Sequence, residues 1–96
     1  MAQPRFLLAT FWAMDHRTMV ARSAGIMEAL KNVNDWLRFN PYTYLIWTDK
    51  SPSELYELLR RHITPDDQVI VAGVDLLRER YGWSQQWIWE WIDKHR

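Results

Sequence analysis

Residues 35–48 read DWLRFNPYTYLIWT, and residues 51–54 just downstream read SPSE. The first segment is rich in aromatic and β-branched side chains on both sides of Asn40 and Pro41, and side chains of these types favour strands. Proline keeps the residue before it out of helical geometry, so the Asn-Pro pair predicts a turn. We therefore predict a β-hairpin whose strands are residues 35–39 and 42–48. The alternative is a preceding helix that continues through Phe39 and leaves only the second strand.

The SPSE segment predicts the start of a helix. Ser51 is a preferred N-cap residue, proline is favoured at the first helical position, and Glu54 is placed to complete a capping box. The apolar residues that follow recur at helical spacing and predict one buried stripe, formed by Leu55, Leu58, Leu59 and Ile63.

The remaining segments complete an alternation of strands and helices. Residues 6–12 and 68–74 are apolar runs of strand length, residues 17–33 repeat apolar side chains at helical spacing, and Ser84 can cap a final helix over about 84–95. The order βαββαβ is typical of the ferredoxin-like arrangement, an antiparallel sheet with two helices on one face. We predict an α+β protein, with a single ferredoxin-like domain over 1–96 and an additional Trp-rich C-terminal helix.

Composition narrows the classes of function. Twelve Lys and Arg balance twelve Asp and Glu, so no bulk charge draws the chain toward nucleic acid or anionic lipid. The chain has no cysteine, which excludes disulfides and thiolate metal sites. Its N-terminal apolar run is far too short to cross a membrane. We expect a soluble, cytoplasmic protein with no membrane partner.

Both faces of the predicted sheet carry bulky side chains. In the second hairpin strand Tyr44 and Ile46 alternate with Leu45 and Trp47. Two helices on one face leave the other face uncovered, so the C-terminal helix, a second copy of the chain, or both must cover it. We predict a homodimer.

The C-terminal helix holds much of the chain's aromatic bulk. At 100° per residue, Trp91 lies about 40° from Trp87 and Trp89 lies about 200° from it. We therefore expect Trp87 and Trp91 in the core, while Trp89 and Trp83 face a partner. The predicted partner-binding residues are Trp89, Trp83, Trp47 and Tyr44.

Several short motifs resemble those of a known family. They are residues 44–51 (YLIWTDKS), 54–55 (EL), 67–71 (DQVIV), 82–83 (GW) and 87–92 (WIWEWI). These motifs resemble the SinR-like small proteins, which belong with VapD and the smaller of the two universal CRISPR adaptation proteins. The resemblance covers the C-terminal half, and the N-terminal third only by the order of its elements. It implies a ferredoxin-like domain, usually dimeric, in a superfamily where some members are metal-dependent nucleases.

The residue expected to hold the metal departs from the family's pattern. In the nucleases an aspartate follows an aromatic residue at the end of the first strand, and two such carboxylates in the dimer hold a divalent ion. Here Phe11 stands at the aromatic position, but Trp12 stands where the aspartate would be. Indole cannot ligate a hard cation. Asp15, with His16, is the nearest alternative for a catalytic or Mg²⁺- or Mn²⁺-binding pair, although capping preferences favour a helix N-cap as the role of Asp15.

Charged residues elsewhere suggest weaker candidates. Arg60, Arg61 and Arg78 could form a basic strip for nucleic acid, but acidic residues interleave with them, which is typical of a solvated helix face. The pair Asp66-Asp67 after a proline is typical of a turn rather than a cation site. We therefore predict a non-catalytic, ferredoxin-like homodimer without a cofactor, which acts through protein or nucleic-acid association. The alternative is a metal-dependent endoribonuclease or other nuclease with an altered carboxylate site.

Overall fold

The computed structural model describes residues 3–13, 16–78 and 80–95. Four strands alternate with three α-helices along the chain, in the predicted order. The elements are β1 (Arg5–Trp12), α1 (His16–Ala29) with a 3₁₀ turn at Leu30–Asn32, β2 (Asp35–Asn40), β3 (Thr43–Thr48), α2 (Pro52–Leu59) with a 3₁₀ turn at Arg60–His62, β4 (Gln68–Gly73) and α3 (Gln86–Asp93).

The hairpin is present, and the alternative of a helix through Phe39 is wrong. The backbone N–H of Tyr42 donates to Asn40 Oδ1 at 2.8 Å, and the Arg38 guanidinium donates to the Pro41 carbonyl at 3.1 Å. These bonds satisfy a backbone N–H and a carbonyl of the turn that form no hydrogen bond between the strands. The pairing of β2 with β3 shifts register between Arg38 and Asn40, where the chain enters the turn.

The predicted capping box at the start of α2 is confirmed. The Glu54 N–H donates to Ser51 Oγ at 3.2 Å, and the Ser51 N–H donates to Glu54 Oε1 at 3.0 Å. Together with Pro52 at the first helical position, this reciprocal pair satisfies two N–H groups that a helix end leaves over. The same hydrogen bond from the Ser51 backbone lowers the pKa of the Glu54 carboxyl.

The four strands form one antiparallel sheet in the order β2-β3-β1-β4. β1 lies in its interior, where Leu8 is opposite Leu45 of β3 on one side and Ala72 of β4 on the other. Because side chains alternate along a strand, odd- and even-numbered residues of β1 point to opposite faces. The chain is an α+β protein, as predicted.

The first face of the sheet packs against α1 and α2. Its buried centre includes Leu7 and Tyr44 from the sheet, with Ile26 and Leu59 from the helices. α1 approaches the second 3₁₀ turn so closely that a Cβ on Gly25 would lie 2.5 Å from His62 Nδ1.

An ion pair joins α1 to the turn before β4. Arg22 of α1 pairs with Asp67, so this charged side chain is engaged within the chain. Asp67 Oδ2 also accepts from the Thr64 N–H at 2.8 Å, which confirms the turn interpretation of this acidic pair.

The second face of the sheet packs against α3, so the expectation that the C-terminal helix covers it is confirmed for part of that face. Phe6, Leu37 and Leu45 from the sheet form a buried cluster with Ile88, Trp91 and Ile92 of α3. The helix begins at Gln86 after an extended Gln85 whose side chain caps no backbone N–H. The predicted cap at Ser84 is therefore wrong.

The rotation of α3 about its axis differs from the expectation. Trp91 is buried as predicted, but Trp87 is 49% exposed, and Trp89 is half-buried against the second cluster. The assignment of Trp87 to the core and of Trp89 to the outside is thus wrong. Gln86, Glu90 and Asp93 form a polar side of the helix, and Ile88 and Ile92 lie near the middle of the apolar side that meets the sheet, with Trp87 and Trp89 at its two edges.

Within the described ranges, no helix is both long and apolar enough to cross a membrane.

Candidate functional site

α3 leaves part of the second sheet face uncovered. The helix has eight residues and is about 12 Å long, whereas the eight residues of β1 span about 26 Å. The helix covers Phe6 and Leu8 near the beginning of β1. We call the uncovered part the open half-face; it comprises Thr10, Trp12, Phe39, Thr43 and Ile70.

The open half-face is apolar and accessible. Trp12 is 52% exposed and Ile70 is 65% exposed, on neighbouring strands. The hydroxyl oxygens of Thr10 and Thr43 lie 3.1 Å apart and hydrogen-bond to each other, so the polar groups between these apolar side chains are already paired. Large apolar side chains grouped in this way differ from the single exposed hydrophobic residues of an ordinary surface.

Two adjoining concavities make this surface continuous with the segment before α3. One, of about 350 Å³, is lined by residues that include Trp12, Tyr42 and Ile70. The other, of about 440 Å³, lies between the sheet and α3 and is bordered by Tyr81 and Trp83. Asn40 and Thr43 line both, which shows that the open half-face and the aromatic segment 81–83 form one surface.

Arg80 is the charged side chain among the described residues that line the larger concavity, and it interacts with residues of its own chain. It donates to the Leu76 carbonyl at 3.1 Å and pairs with Asp93 at 2.8 Å. Its guanidinium also lies over the Trp89 ring, 5.1 Å from the centroid. Trp89 is therefore packed in part by its own chain rather than projecting freely, although it lines the same concavity as Arg80.

The other predicted partner-binding residues have different surroundings. Tyr44 is fully buried under α1 and α2, so the prediction that it binds a partner is wrong. Burial raises the pKa of its hydroxyl, and the nearby Arg38 opposes that rise. Trp47 is half-buried and stacked on His95 at 4.8 Å between ring centroids. Trp83 is 89% exposed, as partner binding requires.

The predicted partner-binding residues do not include Trp12, Phe39 or Ile70. A signal was present in the even-numbered positions of β1, where Phe6, Leu8 and Trp12 continue an apolar face beyond the length of a short helix. The family resemblance draws attention to Trp12 only because it stands where the nucleases have an aspartate.

The carboxylate of Asp35 anchors the end of α3 to β2. Asp35 Oδ2 accepts from Trp91 Nε1 and from His95 Nε2, each at 2.9 Å, and pairs with Lys94 at 3.3 Å. Burial raises the pKa of Asp35, but the hydrogen bonds from His95, the Trp36 backbone and Lys94 outweigh it and hold the pKa below its ordinary value. The anchor fixes the position of α3 and thereby the extent of the open half-face.

The predicted basic strip is divided between two layers. Arg60 and Arg61 follow α2, which packs on the first face, and Arg60 pairs with Glu57 at 2.7 Å. Arg78 follows residues that pack with α3, and it pairs with Asp75 at 3.7 Å. The structure does not bring these arginines into one surface. A cavity of about 550 Å³ beside Arg60 is also lined by Asp67, which is paired with Arg22.

The structure does not test the predicted metal-binding pair, because Asp15 and the side chain of His16 lie outside the described part of the chain. Across residues 3–13, 16–78 and 80–95, no three side chains of His, Cys, Asp or Glu come together to hold a metal ion.

No protein-family model, no curated protein and no solved structure matches this chain significantly.

Proposed function

We propose that this protein is a non-catalytic association domain that forms a homodimer through the open half-face and the aromatic segment 81–83. The observation that carries the proposal is one continuous, accessible surface of large apolar side chains, in which Trp12, Ile70 and Trp83 are each more than half exposed. Burying such a surface against another protein surface supplies the free energy of association.

The fold that we infer for this domain is ferredoxin-like. In support, the strand order β2-β3-β1-β4 places β1 between β3 and β4 and β3 between β2 and β1, with every neighbouring pair antiparallel. α1 connects β1 to β2, and α2 connects β3 to β4. Each helix therefore joins two strands that have a third strand inserted between them, as in a split βαβ unit.

The chemistry of the surface favours protein over nucleic acid. Proteins that bind single strands combine stacking aromatic side chains with a positively charged groove. Here the aromatic side chains are present, but Arg80 is already paired with Asp93. The formal net charge of the whole chain is zero.

A second copy of the chain is the partner that these features favour. Two-fold homodimers use the same patch on both subunits, and this is the commonest symmetric assembly of soluble proteins. A patch without a strong charge of either sign can face itself without repulsion, which a strongly basic or acidic patch cannot.

The test is the state of association of two matched variants. Ile70→Lys places a charge on the open half-face, and Val20→Lys places the same charge on α1, where Val20 is 54% exposed. Sedimentation velocity should show wild-type dimers that dissociate on dilution, a weakened Ile70→Lys dimer, and an unchanged Val20→Lys dimer. A wild type that stays monomeric at every concentration would sink the homodimer. Steeply salt-dependent binding to labelled single-stranded RNA or DNA would instead support nucleic-acid association.

A further inference from the structure

A groove with an apolar floor lies between the sheet and the segment that precedes α3. Leu8 and Leu45 of the sheet and Ile88 of α3 line it, and its volume is about 440 Å³. Trp83 borders this groove and is nevertheless 89% exposed. The chain thus carries, side by side on one face, an apolar groove and a projecting indole that its own core does not bury.

The chemistry of the groove specifies the kind of side chain that it can hold. The groove is lined mainly by aliphatic and aromatic carbon, while Asn40, Thr43 and Ser84 add oxygen atoms. Arg80, the charged side chain among the described residues that line the groove, is engaged with Asp93 and the Trp89 ring, so an anionic occupant gains no free counter-ion from it. An indole matches these features, because its ring is apolar and its single N–H needs one oxygen acceptor.

We propose that the two copies of the homodimer exchange Trp83 side chains, each indole entering the groove of the other copy. This inference rests on the proposed homodimer. In a two-fold interface a residue that contacts a site on the partner is matched by the reverse contact, so a projecting side chain beside a groove is self-complementary. A single two-fold interface then buries both indoles and both grooves.

A second copy explains the surface better than closure of Trp83 over its own groove. Closure would bury one indole and leave Trp12 and Ile70 uncovered on the adjoining open half-face. A partner whose Trp83 enters the groove also lies beside that half-face, because Asn40 and Thr43 line both concavities. The same contact therefore covers the remaining apolar side chains.

The decisive variant is Trp83→Ala, and Trp87→Ala is its matched control. Both side chains are exposed tryptophans, so neither substitution removes core packing, but Trp87 does not line the groove. Trp83→Ala should raise the dissociation constant of the dimer by at least about 30-fold, as for a central aromatic contact, whereas Trp87→Ala should change it less than about twofold. Circular dichroism should show the same folded spectrum for both variants.

Fluorine NMR of the protein labelled with 5-fluorotryptophan locates the effect at Trp83. The resonance missing from Trp83→Ala identifies this side chain among the seven tryptophans. In the wild type that resonance should move as the protein is diluted from dimer to monomer. A dimer that Trp83→Ala leaves intact would overturn the exchange of indoles while the homodimer stands. A wild type that is monomeric at all concentrations would overturn both proposals.

Discussion

Replacing Asp35 by alanine should detach the end of α3 from the sheet. The carboxylate accepts hydrogen bonds from Trp91 Nε1 and His95 Nε2, each at 2.9 Å, and pairs with Lys94 at 3.3 Å. After truncation the buried Trp91 N–H has lost its acceptor, which is costly because the group was removed from water on folding. We therefore expect a large effect for a residue that contributes little apolar area.

The magnitude follows from the three contacts. A hydrogen bond to a charged group contributes about 1.5–3 kcal/mol, and we take about 1–1.5 kcal/mol for each of the two because screening weakens a partly exposed pair. The Asp35 side chain is 31% exposed, which justifies this discount. The Lys94 ammonium is more exposed, so its pairing contributes about 0–0.5 kcal/mol. Asp35→Ala should thus lower the free energy of unfolding by about 2–3.5 kcal/mol, equivalent to a fall in Tm of about 10–25 °C for a domain of this size.

Urea unfolding followed by tryptophan fluorescence and circular dichroism measures this loss. Asp49→Ala is the control, because Asp49 is exposed and should cost less than about 0.5 kcal/mol. Asp35→Asn keeps an oxygen acceptor but removes the charge, so its stability should lie between wild type and Asp35→Ala. If Asp35→Ala proved no less stable than Asp49→Ala, the anchoring of α3 by this carboxylate would be refuted.

The contribution of Asp35 should also depend on pH. Its pKa is lowered on folding, despite the opposing effect of burial, so the folded chain binds this proton less readily than the unfolded chain. The stabilisation is then complete above the unfolded pKa of about 4 and is lost as the pH falls through the folded pKa. The difference in stability between wild type and Asp35→Ala should shrink between about pH 5 and pH 2. A difference that stays constant over this range would contradict the assignment.

Three further predictions test the packing and the absence of catalysis. Gly25→Ala should destabilise the fold by about 1–3 kcal/mol, because the new Cβ would lie 2.5 Å from His62 Nδ1, and adding His62→Ala should remove that cost in a double-mutant cycle measured by urea unfolding. Trp91→Ala should cost about 3–5 kcal/mol in thermal unfolding and Trp87→Ala less than about 1, and equal costs would contradict the observed rotation of α3. Labelled RNA or DNA should remain intact with Mg²⁺ or Mn²⁺, whereas metal-dependent cleavage abolished by Asp15→Asn would contradict the non-catalytic proposal.

Local signals in the sequence predicted the elements well, because each signal acts over a few residues. The capping box at Ser51 and Glu54 and the turn at Asn40-Pro41 are satisfied by hydrogen bonds within two or three positions along the chain. The order of strands and helices follows from such signals. The need for a cover on the second sheet face also followed from the sequence, because bulky residues alternate on both faces of β3.

The site could be predicted only in part. Trp83 was identified as exposed, since it precedes the final helix and falls outside its apolar stripe. Trp89 and Tyr44 were misassigned for two different reasons. The cation–π contact between Arg80 and Trp89 depends on the path of an irregular segment, and the face of β3 on which Tyr44 lies depends on how the helices pack.

The sequence by itself therefore determined which segments are strands and helices, their order, and the surplus of aromatic side chains near the C-terminus. Only the tertiary structure decided which tryptophans of α3 are buried, because the apolar side of the helix spans about 200° from Trp87 to Trp89, which is wider than the strip that can contact the sheet. The structure also brought Asp35 together with His95, 60 positions away, a contact that no local spacing encodes. Finally, the short length of α3 against the longer strands decided where apolar surface remains, and that surface carries the proposed association.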